Sequence, residues 1–164
     1  MVQPQTLISN TVNPANLLEL QVLSKIVQDL DNKNDIKGAI PYLAKMTQIV
    51  DNQAITKPTD QAKLPNYHLQ MNELSKTKAN AHAQLAEAFY KTHDFMQCES
   101  SLTVSIKIWE KLVRHDTSII PLLTSAYDRL KLCYEALGKN QMANNIESRK
   151  TKLLTNNKAQ GDIK

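Results

Sequence analysis

Apolar residues recur at intervals of three and four along most of the chain. Leu17, Leu20, Leu23, Val27 and Leu30 form the first such stripe, the signature of a helix with one buried face. Asn13 and Pro14 lie just ahead of it. Asn caps free N–H groups well, and Pro suits the first helical turn, where its missing N–H costs nothing. A helix over 14–31 is predicted. The polar run DNKND ends it, and Ile36, Ala39, Ile40, Leu43 and the stretch Met46 to Val50 predict a second helix over 36–50. Pro41 falls deep inside that helix and removes one backbone donor.

The segment DNQAITKPTDQAKLPN, residues 51–66, carries two prolines and no period, and reads as a long loop. Leu69, Leu74, Ala81, Leu85, Ala88 and Phe89 predict a third helix over 67–92, about 39 Å long at 1.5 Å per residue. Asp94 begins a fourth, carrying Phe95, Cys98, Leu102, Ile106, Trp109 and Leu112. Thr117 or Ser118 is positioned to cap a fifth, with Pro121 in its first turn. Gly138 ends that helix where a left-handed residue is wanted, and a sixth spans 140–156. Residues 1–12 and 157–164 are expected to be flexible tails. Six helices with short polar breaks predict an all-α chain of three antiparallel hairpins in one domain over 13–156.

Two of these hairpins echo one another. Leu85, Phe89, His93 and Cys98 match Leu130, Tyr134, Gly138 and Ala143 at a separation of 45 residues. Counted from Leu85 or Leu130, an apolar residue opens the pattern, an aromatic follows at the fourth position after it, a turn at the eighth to tenth and a small residue at the thirteenth. Counted from Ile26, the same offsets give Leu30, Asn34-Asp35-Ile36 and Ala39. The small residue allows the second helix close to the first, and the aromatic or leucine fills the space between them.

This pattern resembles the tetratricopeptide repeat, most closely in AHAQLAEAFYKTHDFMQC and AYDRLKLCYEALGKNQMA, and extends over residues 20–156. The separations of 59 and 45 residues exceed the family's period of about 34, which implies a lengthened version. The resemblance implies a short right-handed solenoid whose first helices line a concave face. The ligand-facing positions it implies are Gln21, Ser24, Gln28 and Asp31; Asn80, Ala83, Glu87 and Tyr90, with Lys91 beside it; and Ser125, Asp128, Leu132 and Glu135. On that face Asp31, Glu87, Asp128 and Glu135 oppose only Lys91, so the implied groove is acidic. Family members that grip acidic chaperone tails need Lys, Arg and Asn at paired positions. Here those pairs are Ser24 with Gln28, Ala83 with Glu87 and Asp128 with Leu132, which disfavours that role.

Composition agrees with helix: 164 residues include only three glycines, and aromatics make up 5%. The net charge of +4 is local, because residues 128–164 hold eight Lys/Arg against four Asp/Glu while the rest of the chain balances. A basic last helix with SRKTK at 148–152 raises nucleic acid as an alternative partner, but no aromatics interleave to stack bases. His68, His82, His93 and His115 are scattered without ligand spacing, three distant glycines make no phosphate loop, and no nucleophile setting is recognisable. No catalytic residue, metal ligand or cofactor is assigned, and an enzyme is not expected. Cys98 and Cys133 read as reduced, packed thiols of a cytoplasmic or nuclear protein, and the sequence leaves a disulfide between them open. No apolar run approaches a membrane span. The expected function is a protein–protein adaptor or complex subunit that binds a basic or amphipathic segment. Three hairpins without an evident solvating cap are expected to leave apolar surface at one or both ends of the stack, which a partner subunit would cover.

Overall fold

The computed structural model describes residues 13–161. Six α-helices follow one another: α1 Pro14–Asn32, α2 Ile36–Asp51, α3 Leu64–Lys91, α4 Phe95–Leu112, α5 Ile120–Ala136 and α6 Asn140–Gly161. Two 3-10 turns, Gln61–Lys63 and Thr117–Ile119, precede α3 and α5, and there is no strand among the described residues. Each helix packs chiefly on its neighbours in sequence.

Local signals account for most helix ends. The Asn13 side chain accepts from the Ala15 N–H at 3.1 Å, and Pro14 occupies the first turn of α1. Asp35 and Asp94 cap α2 and α4 by accepting from Gly38 N and Gln97 N. α2 runs unbroken through Pro41; Pro41 lacks the N–H that would meet the Lys37 carbonyl, and both residues are exposed.

Three expected boundaries are corrected. The interval between α2 and α3 is shorter than 51–66, because Asp60 accepts from Ala62 N and starts a 3-10 turn that runs into α3 at Leu64. The cap before α5 is Asp116 rather than Thr117 or Ser118: its carboxylate accepts from the backbone N–H and hydroxyl of Ser118 at 3.0 and 2.5 Å. Both starts share one arrangement, Asp60 to Leu64-Pro65 and Asp116 to Ile120-Pro121, in which a capped 3-10 turn feeds a helix with Pro in its first turn. The last helix continues five residues beyond 156, to Gly161. Residues 1–12, expected to be a tail, lie outside the described residues.

The turns that join α1 to α2, α3 to α4 and α5 to α6 are built alike. Asn34, His93 and Gly138 sit at their centres with φ of 58°, 62° and 71°. The next residue donates its N–H back five positions, Asp35 to Leu30, Asp94 to Phe89 and Lys139 to Tyr134, at 2.9, 2.9 and 2.8 Å. These are the bonds that close a helix through one left-handed residue. The small residue five positions after each centre is buried: Ala39 and Cys98 are 0% exposed and Ala143 1%.

Two clusters of buried residues result. The larger spans α3 to α6 and includes Leu102, Ile106, Trp109, Leu123, Tyr127, Leu130 and Ile146. The smaller joins α1 and α2 through Leu20, Leu23, Ile49 and Val50, with Ala81 of α3 packed against it. Polar contacts reinforce the seam between the first helix pair and α3. Gln53 accepts from Asn13 N and donates to the Ile49 carbonyl, and the Lys78 amine donates to the Gln53 carbonyl. His82 lies 2.8 Å from Asp51.

Candidate functional site

The residues singled out on the first helix of each pair can be placed one by one. Gln21, Ser24, Gln28 and Asp31 on α1 are exposed, as are Asn80, Glu87 and Lys91 on α3 and Ser125, Asp128, Leu132 and Glu135 on α5; Ala83 and Tyr90 are half-buried. None of these side chains is fully buried in the core. Leu132 keeps 48% of its surface exposed.

One contact links α3 to α5. The guanidinium of Arg129 lies over the Tyr90 ring, 4.6 Å from its centroid, a cation–π contact across two helix pairs. Phe95 backs the same ring edge-on at 5.7 Å, and His93 meets Phe95 at 5.8 Å. Arg129 had no place in the sequence reading. Nothing local marks it, since its partner lies on another helix pair. Among the described residues no hydrogen bond, ion pair or cation–π contact joins the α1 set to the other two.

The charge of this surface is corrected. Lys91 pairs with Glu87 at 3.0 Å along α3. Asp128 is also opposed, because α6 folds back on α5 and brings the Lys150 amine to 2.6 Å. That bond is the main cause of a raised Lys150 pKa. Only Asp31 and Glu135 of the four acids make no ion pair with a described residue, so the face is less acidic than a count of its own charges suggests. A sequence signal for the second pair existed: two residues before and twenty after the leading Leu130, the chain carries opposite charges.

The same folding-back engages most of the basic excess. Lys131 pairs with Glu147 at 3.3 Å and Lys139 with Glu99 at 2.7 Å, and Arg149 pairs with Glu110. Glu110 also accepts from the Tyr127 hydroxyl at 2.5 Å, and burial together with this bond raises the Tyr127 pKa. Lys152 and Lys158 are exposed without an ion pair among the described residues. Four basic side chains of the C-terminal segment, Lys131, Lys139, Arg149 and Lys150, therefore make ion pairs that link α6 or the turn before it to α4 and α5.

α6 lines a concavity of about 590 Å³ with Asn144, Ser148, Thr151, Lys152, Thr155 and Asn156, and it also exposes Met142 and Leu154 at 43% and 37%. α1 exposes Leu18 and Val22 at 65% and 54%. Among the described residues no group of His, Cys, Asp and Glu is placed to hold a metal ion, and no helix is long and apolar enough to cross a membrane. Comparison with family models, curated proteins and solved structures finds no match.

Proposed function

We propose that this protein is a non-enzymatic adaptor or complex subunit, a short right-handed solenoid of three tetratricopeptide-like hairpins. Its first helices hold a basic or amphipathic segment of a partner protein, in the cytoplasm or nucleus. The stacking of Arg129 over Tyr90 supports this reading: it links α3 to α5, whose exposed faces offer Leu132 as apolar contact and Glu87, Asp128 and Glu135 as charge. The recurrence of one turn geometry at Asn34, His93 and Gly138 supports the repeat. Exposed Leu18 and Val22 support a place within a larger assembly.

Fluorescence anisotropy with a basic amphipathic helical peptide, a version lacking its apolar face, and single-stranded RNA, each at two salt concentrations, tests the reading. The intact peptide is expected to bind with a shallow salt dependence, because apolar contact shares the work. RNA binding with a steep salt slope, abolished by neutralising Arg149, Lys150 and Lys152, would replace this reading with that of a nucleic-acid-associated protein. Failure of the peptide to bind would remove it.

A further inference from the structure

Cys98 and Cys133 are both 0% exposed, and their sulfurs lie 3.2 Å apart across the seam between α4 and α5. In sequence they stand 35 residues apart, one in the second helix pair and one in the third. Packing alone does not require thiols here. Cys98 holds the small-residue position thirteen after the leading Leu85, and Cys133 lies three after Leu130. The same two offsets in the preceding pair of repeats fall on Ala39 and Ala88, both buried, at 0% and 5% exposure. Alanine thus serves where the chain needs only a close approach.

The geometry points to a site of intramolecular disulfide formation between Cys98 and Cys133, which locks the second helix pair to the third under a peroxide-class oxidant. A disulfide needs its sulfurs at about 2.04 Å, so a movement of about 1 Å within the seam is enough. The bond between the thiols and the charge of Arg129 hold Cys133 below its ordinary pKa, whereas the same bond and burial push Cys98 up. The thiolate of one cysteine attacks one peroxide oxygen, the S–O bond forms as the O–O bond breaks, and hydroxide leaves as water after taking a proton. The second sulfur then attacks the first, the S–S bond forms as the S–O bond breaks, and the leaving hydroxide departs as water with the second thiol's proton. Two thiols and one hydrogen peroxide yield one disulfide and two waters. Burial makes the first step wait on local opening of the seam, so reaction is slower than at an exposed thiol.

The experiment treats the folded full chain with hydrogen peroxide, quenches it, blocks free thiols and denatures it for intact-mass and peptide analysis. The expected product is a monomer lighter by two hydrogens, with a Cys98–Cys133 cross-linked peptide. Its Tm should be several degrees higher, since a cross-link restricts the unfolded chain, and dithiothreitol should reverse the rise. Amide exchange at the facing turns of α4 and α5 should slow in the oxidised form. Cys98→Ala and Cys133→Ala, folded as judged by circular dichroism, should each abolish the cross-link. Thiols that stay unmodified until the chain is denatured, disulfides between molecules, or stable sulfinic acid at either cysteine would overturn the proposal.

Discussion

Ala143 and Cys98 occupy equivalent places in two helix pairs, and neither leaves room for a larger side chain. Ala143→Trp should destabilise the protein by about 3 kcal/mol or more, beyond the usual range for added methylenes, and Cys98→Trp should act similarly. Urea unfolding followed by far-ultraviolet circular dichroism measures this, and unchanged midpoints in both would show the shared register to be wrong. Asp116 makes a prediction about pH. Its bonds from the Ser118 hydroxyl, then from Lys76 and the Ser118 N–H, lower its pKa from 3.8 to about 2. A depressed acid contributes stability that is present above its unfolded value and lost as pH falls through its folded value. The contribution of Asp116 should therefore persist above about pH 4 and disappear toward pH 2. A carboxyl-carbon NMR titration should find its midpoint near 2, and Asp116→Asn should flatten the pH dependence of stability in that window.

Among elements, the joining turns invite a direct comparison. Gly138 at φ +71° has nothing within 4 Å of where a Cβ would stand. Gly138→Ala should therefore cost about 1–2 kcal/mol, from the crowding of a Cβ against its own backbone at positive φ, with no clash against neighbouring residues. Asn34 and His93 accept the same φ already, which is why one turn can be written with three residue types. The segment between α2 and α3 makes the second prediction at this scale. Residues 54–60 lack helix, and all but Ile55 and Pro58 are exposed, whereas Gln53 is tied to α1, α2 and α3 by three hydrogen bonds. A protease of broad specificity should make its first internal cut within 54–60. Initial cleavage in the tighter Asn34, His93 or Gly138 turns would contradict this.

For the whole molecule, the consequence of the structure is that charge on the proposed face is shared with the packing of α6. Glu87→Lys with Asp128→Lys reverses two acids on neighbouring helix pairs and should weaken binding of a basic amphipathic peptide at least tenfold, through opposed like charges. Asp128→Lys also sets a lysine against Lys150, so a variant with Lys150→Asp, which restores that pair in reverse, should recover stability without recovering affinity. Binding isotherms at two salt concentrations together with Tm values separate these effects. Affinity restored along with Tm would mean that Asp128 acts through folding rather than by contact.

Helix positions were legible because apolar period, Asn or Asp caps and turn residues all act within a few residues of one another. α1, α2 and α4 differ from the sequence reading by no more than a residue at either end, and the three small positions after the turns are buried as their spacing implied. Where the reading missed, the cause was also local: a 3-10 turn after Asp60 or Asp116 carries no helical period, although the shared Asp to Leu-Pro and Ile-Pro spacing was there to be compared. What only the tertiary structure decided is which distant residues meet. Side chains as far apart as Tyr90 and Arg129, Asp128 and Lys150, or Cys98 and Cys133 are matched by how one helix pair lies on the next and how α6 returns over α5. Periodicity marks the face of a helix that is buried, because burial of apolar surface repeats with the helical turn. It carries no record of which charge or thiol on another helix will be within bonding distance, because that depends on the angle and offset at which packed side chains interlock.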